Sequence, residues 1–197
     1  TGSSDVCSSD LVRASIASKR ENTLFLPGIA LPAAIAPVAE LAEAASAEAL
    51  LSVVPTQHLR TVLTALKPHV RAGTPIVICA KGIETGTGLL LNEVLAEIVP
   101  QAEPAMLSGP SFARDVARGL PTAVTVAARE GIVMRLAATM SGPGFRPYVS
   151  EDIVGVALGG AAKNVYAIAC GMVEGAGFGE SARAAALSRG FAELLRL

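Results

Sequence analysis

The chain has three cysteines and two histidines in 197 residues, with no Cys-x-x-Cys pair and no Cys/His cluster. That pattern excludes a structural zinc site and a disulfide framework. Cys79 closes an apolar run and Cys170 lies in an apolar helix, and two unpaired thiols suit a reducing, cytoplasmic compartment. His58 and His69 sit on or near one polar helix and read as solvated residues. Charge of either sign is also missing in excess: the net charge is −1 and Lys and Arg never form a run. A nucleic-acid or anionic-membrane surface is therefore not expected. No signal peptide is recognisable, because the first residues lack a basic start and an apolar core. Long unbroken apolar runs are absent too. Leu24–Ala39 is uncharged but interrupted by Pro27, Pro32 and Pro37, and the stretch 153–173 contains several glycines and Lys163. No membrane span is expected from either. There is no internal repeat.

The ends of the chain are unusual. Asp5-Val-Cys-Ser-Ser-Asp-Leu11 matches the translation of a common sequencing-library adapter, so residues 1–11 read as an adapter-derived artefact that makes no packed contacts. Between them and residue 150 strands and helices alternate. Leu50–Val54, Pro75–Ala80, Pro104–Leu107, Thr122–Ala127 and Phe145–Val149 are short apolar runs that read as strands. His58–Val70, Gly88–Val99, Ser111–Arg118 and Gly131–Met140 carry helical spacing between them. The alanine- and glutamate-rich stretch Ala33–Ala49 reads as a further helix. This order predicts right-handed βαβ crossovers and a mostly parallel sheet. From Glu151 onward only helical patterns follow, separated by Glu174-Gly-Ala-Gly-Phe-Gly179. That glycine loop follows a helix, not a strand, so it is read as a connection and not as a phosphate loop. The domain boundary is placed near Ser150.

Ligands of such sheets bind at the C-terminal ends of parallel strands. Three polar segments follow strands directly: Pro55-Thr-Gln57, Lys81-Gly82 and Ser108-Gly-Pro-Ser111. They are expected to line one edge. Lys81 can attract an anionic ligand there, or simply end its strand in water. Gly109 lets a ligand approach the main chain, and Ser111 is expected to cap the next helix, in an otherwise ordinary strand-to-helix turn. Lys163 is the only formal charge between Asp152 and Glu174. Ser150 or Asp152 can cap its helix. Gly155 and Gly159, one turn apart and in line with it, open a strip for close approach by a backbone or flat ligand. Burial there would depress the lysine's pKa and suit it to proton transfer, unless it merely snorkels to the surface. Arg183 and Arg189 read as solvated, with a place near the cleft as the alternative for Arg189.

The ordered strings Val54-Pro-Thr-Gln57, Lys81-Gly-Ile-Glu84, Ser108-Gly-Pro-Ser-Phe-Ala113, Gly119-Leu-Pro-Thr-Ala-Val124 and Gly155-Val-Ala-Leu-Gly-Gly-Ala-Ala-Lys-Asn164 resemble the bacterial NAD(P)-dependent glycerol-3-phosphate dehydrogenases. Gly175–Glu180 and Ser188–Glu193 fit the same family, and the resemblance runs from about Asn22 to the last residue. It implies a truncated Rossmann-like parallel sheet domain over 12–150, lacking its glycine-rich turn. The start of an all-helical, 6-phosphogluconate dehydrogenase-like domain follows over 151–197. The implied activity interconverts sn-glycerol 3-phosphate and dihydroxyacetone phosphate with NAD or NADP, feeding glycerophospholipid synthesis. By the same resemblance Lys163 is catalytic and also binds substrate. Lys81, Gly109, Ser111 and Asn164 hold the small phosphate substrate, and Lys81 and Ala113 meet the cofactor. A homodimer is one possible state of the full-length enzyme, whose oligomeric state the sequence does not give, and this chain is expected to be inactive alone. The alternatives are a β-hydroxyacid or 6-phosphogluconate-type dehydrogenase, which shares the architecture and the helical lysine, and a non-catalytic nucleotide-binding protein.

Overall fold

A computed structural model describes residues 3–196, with side chains from Asp10 onward. The chain opens with helix α1 (Ser3–Lys19) and a long loop holding the one-turn helix α2 (Leu41–Ala44). Strand β1 (Leu50–Ser52) leads through a 3₁₀ turn, Thr56–His58, into α3 (Leu59–Leu66). Then come β2 (Pro75–Ile78), α4 (Leu91–Ile98), β3 (Glu103–Ser108), α5 (Ala113–Ala117), β4 (Thr122–Ala128), α6 (Glu130–Met140) and β5 (Phe145–Ser150). Two long helices follow, α7 (Ile153–Gly175) and α8 (Gly179–Leu194).

All five strands join one sheet in the order β1-β2-β3-β4-β5. β2 is buried at all four residues, which is why it reads as a continuous apolar run. Side chains alternate across the pleat. Ile76, Ile78 and Met106 join Leu59, Leu63, Leu91, Val94, Leu95 and Ala157 in a core on one face. Val77, Ala105 and Leu107 join Val124, Val126, Ile132, Val133 and Leu136 on the other. Helices therefore cover both faces, a three-layer α/β arrangement. Burying each of these Leu or Ile side chains contributes roughly 1.5–3 kcal/mol.

One part of the sheet departs from the expected direction. β1, β2 and β3 are parallel, and so are β4 and β5, but β3 and β4 are antiparallel. The cause lies in the connection between them, which holds only the five-residue α5. A crossover to a parallel neighbour needs a longer element packed along the sheet, so the chain turns back instead.

The expected helix over 33–49 shrinks to Leu41–Ala44. Pro37 interrupts it, and of its residues only Ala45 is buried. Alanine propensity without a packed face does not hold a helix in water. At the other end, the expectation that residues 1–11 make no packed contacts falls, for residues 1–9, outside the described side chains. α1 runs unbroken through Leu11, which is 65% exposed.

Asp152 caps α7, its carboxylate accepting a hydrogen bond from the Gly155 amide at 2.7 Å. Among the described residues, α7 is the one helix long and apolar enough to cross a membrane by length and composition. Its first two turns instead pack on β3, β4 and α4, through Ile153, Val156 and Ala157. α8 folds back along it, with Gly190 seated on the Tyr166 ring. The glycine loop at 175–179 ends one helix and starts the next.

Candidate functional site

β1, β2 and β3 run the same way, so the segments after them emerge at one edge. Lys81 lies three residues past β2, half-buried. Its ammonium makes a long contact of 3.5 Å with the Cys79 carbonyl. Burial pushes its pKa below the ordinary lysine value, and the positive charge of Lys163 pushes it further the same way.

Lys163 arrives by way of the last strand. β5 runs against β3 and ends level with Met106, so α7 begins short of the edge where β3 ends and travels back across the face in the direction of β3. Lys163 therefore reaches that edge only after α7 has crossed the sheet. Two turns in, Gly160 reaches the end of β3. A Cβ on Gly160 would stand 2.9 Å from the Ser108 hydroxyl and 3.6 Å from Lys81 Cγ. Lys163 and Asn164 lie one turn further along, both exposed.

This geometry bears on two expectations about α7. The close approach of a neighbouring segment of the chain is at Gly160 and not along the strip of Gly155 and Gly159. Gly159 has open space where a Cβ would go, while a Cβ on Gly155 would collide with the capping carboxylate of Asp152. The burial expected at Lys163 is found at Lys81 instead. A helix touching the sheet only through its first turns leaves its later side chains in solvent.

The turn after β3 holds a further correction. Gly109 has φ +146, and a Cβ there would stand 2.9 Å from the Val124 Cα and 3.1 Å from the Ala123 carbonyl oxygen. Glycine is needed because β4 passes against it, whatever ligand approaches the other side. Ser111 does not cap α5. Its amide donates to the Gly109 carbonyl at 3.0 Å, and Phe112 occupies the cap position without a side-chain hydrogen bond. Ser111 is half-buried and Ala113 exposed.

Among the described residues no ion pair involves Lys81 or Lys163. Arg183 and Arg189 are paired with glutamates of α7 and α8. Two lysines within electrostatic reach of each other, neither matched by a carboxylate, suit an anion. No group of His, Cys, Asp and Glu among the described residues could hold a metal.

Sequence reasoning missed the side chains behind Lys81. Arg60 grips Glu84 through two hydrogen bonds of 2.9 Å and reaches Glu97 at 2.8 Å. Gln57 spans the backbone of Ile83 and Thr85. Both Gln57 and Glu84 stand in strings that read as informative, but spacing alone does not say that they meet.

Comparison with known proteins decides the family. The profile described as NAD-dependent glycerol-3-phosphate dehydrogenase N-terminus matches residues 8–132, and the corresponding C-terminus profile matches residues 152–197. The chain belongs to the NAD-dependent glycerol-3-phosphate dehydrogenase family. The N-terminal match begins inside the stretch 1–11 that reads as adapter-derived. A glycerol-3-phosphate dehydrogenase [NAD(P)+] of Parvibaculum lavamentivorans is 60% identical over 178 residues, which are 90% of this chain and 54% of that protein. That of Caulobacter vibrioides is 52% identical over 185 residues, 93% of this chain and 56% of that protein. The crystal structure of the Coxiella burnetii glycerol-3-phosphate dehydrogenase superposes with a TM-score of 0.87 at 35% identity, covering 95% of this chain and 58% of the other. The chain thus spans about half the length of the curated relatives it matches.

Proposed function

We propose that the enzyme carrying these segments interconverts sn-glycerol 3-phosphate and dihydroxyacetone phosphate, with NAD or NADP as hydride carrier. The observation that carries this reading is the convergence of Lys81 and Lys163, without a carboxylate partner among the described residues, at the edge where β2 and β3 end. A phosphorylated substrate and a nucleotide cofactor are both anions, and the residues present fit them. When bound, the nicotinamide supplies or accepts the hydride at C2 of the substrate.

The chain's own residues have four tasks in this proposal. Lys81 attracts the phosphorylated substrate and also lies against the cofactor. Gly109 and Ser111 present the turn after β3 to the substrate, with Ala113 beside the cofactor. Lys163 donates a proton to the C2 oxygen as negative charge grows there, and takes it back in the reverse direction. Asn164, its neighbour on α7, orients the substrate oxygens.

The test is a substrate panel on the full-length enzyme, following absorbance of the reduced nicotinamide. Turnover is expected with dihydroxyacetone phosphate and not with 6-phosphogluconate or short 3-hydroxyacids. Preference for a hydroxyacid would transfer the assignment to that branch. Nucleotide binding without turnover on any substrate would favour a non-catalytic role.

A further inference from the structure

We propose that Thr56, Gln57 and Arg60 form a clamp that sets the position of Lys81, with Gln57 as its central positioning residue. This rests on the reading of Lys81 as an anion-binding residue of the dehydrogenase. All three side chains come from one short stretch, the 3₁₀ turn after β1 and the start of α3. Each holds a different part of the loop that follows β2.

The contacts run in order along that loop. The Thr56 hydroxyl donates to the Lys81 carbonyl at 3.3 Å. Gly82 comes next with φ +155, and a Cβ there would stand 2.8 Å from Thr56 Oγ1. The Gln57 amide uses both of its ends: Nε2 donates to the Ile83 carbonyl at 3.0 Å, and Oε1 accepts from the Thr85 amide at 2.9 Å. Arg60 then holds the Glu84 carboxylate with two parallel hydrogen bonds, while the Thr87 hydroxyl donates to the same carboxylate at 2.6 Å. Two backbone hydrogen bonds, Glu84 N to Leu89 O and Gly88 N to Glu84 O, close the far side.

The loop thus has few backbone partners of its own and is held by side chains from the neighbouring unit. Lys81 needs such support. Its side chain has one long contact to a carbonyl and faces a second cation, so electrostatics pushes it outward. Held at its own carbonyl and along the following four residues, it stays half-buried beside Lys163. A misplacement of about 1 Å at a binding group can cost on the order of 10²-fold in rate. Rigid support of this kind gives the clamp a function beyond stability.

The chain has four lysines, Lys19, Lys67, Lys81 and Lys163. Reductive methylation with ¹³C-formaldehyde makes each visible by NMR, and Lys81→Arg assigns the Lys81 signal. Two readouts follow in the 197-residue chain: the titration of Lys81, and its shift on adding inorganic phosphate. The variants are Gln57→Leu, which removes both amide bonds, Thr56→Val, which removes only the hydroxyl, and Thr56→Ser, which keeps it. In the unaltered chain Lys81 is expected to titrate below the ordinary lysine value. In Gln57→Leu and Thr56→Val it should move up toward that value, and Thr56→Ser should restore it. Two ordinary hydrogen bonds correspond to about a 10- to 100-fold effect on a population, so the phosphate Kd read at Lys81 should weaken at least tenfold in Gln57→Leu. A lower melting temperature with an unmoved Lys81 titration would show a merely structural contact and overturn the clamp. Absence of any phosphate response in the unaltered chain, with the titration still moving in Gln57→Leu, would leave the clamp standing and refute the anion-site reading.

Discussion

Lys163 and Lys81 differ in surroundings, and their substitutions should differ in effect. Lys163 is exposed, so Lys163→Met costs the fold little and removes only the proton it is proposed to move. In the full-length enzyme kcat should fall by about 10²–10⁴-fold with the melting temperature and cofactor affinity nearly unchanged. Retention of more than about a tenth of kcat would disqualify Lys163 as proton donor. Lys81→Met should raise the KM for dihydroxyacetone phosphate as well as lower kcat, because its proposed role begins with binding an anion. Gly109→Ala belongs to a different class. The new methyl would meet the backbone of β4 at 2.9 Å, in a conformation that side chains rarely adopt. A loss of about 1–3 kcal/mol is expected, read from the urea midpoint. An unchanged midpoint would mean that β4 can give way there. Neither the seat of Gly109 on β4 nor that of Gly160 on Ser108 was legible in the chain, because a glycine's partner is distant in sequence.

The loop after β2 makes a prediction about pH. The Arg60 guanidinium, aided by the Thr87 hydroxyl, holds the Glu84 carboxyl down to about 2 from an ordinary 4.5. Arg60 lowers Glu97 as well. A carboxylate whose folded pKa lies below its unfolded one stabilises the fold at higher pH. That contribution is complete above about 4.5 and is lost as the pH falls toward 2. The difference in unfolding free energy between the unaltered chain and Glu84→Gln should therefore shrink steadily over that window. A pH-independent difference would show that Glu84 acts through shape and not through charge. At this scale the sequence was a good guide to the strands and to α3, α4 and α6, whose apolar periods match buried faces. It failed for residues 33–49, where composition suggested a helix but no apolar face existed to anchor one.

Across the whole molecule the main imbalance is the helical pair at the C-terminal end. Val165, Ile168 and Met172 of α7 and Leu187 and Phe191 of α8 are each between 57% and 69% exposed, together with Phe178 between the helices at 70%. So much apolar surface on neighbouring helices exceeds what scattered surface residues explain. The isolated chain is expected to bind a fluorescent hydrophobic dye strongly and to self-associate with rising concentration. Ile168→Glu with Phe191→Glu should reduce both effects while leaving the sheet intact by circular dichroism. Dye binding that survives the pair would place the apolar surface elsewhere.

What the amino-acid order determined by itself was local: which stretches are strands, which polar residues follow them, and which lysine stands alone in an apolar helix. Those facts depend on neighbours within a few residues, and they sufficed to bring Lys81, Gly109, Ser111 and Lys163 forward as candidates. Tertiary structure decided the rest. The short connection through α5 reversed β4, so α7 had to start short of the edge where β3 ends and cross the sheet to bring Lys163 toward Lys81. That crossing left Lys81 half-buried and Lys163 in solvent, the opposite of what the apolar setting of Lys163 suggests. Burial depends on which surfaces meet, and helix α7 meets the sheet only along its first two turns.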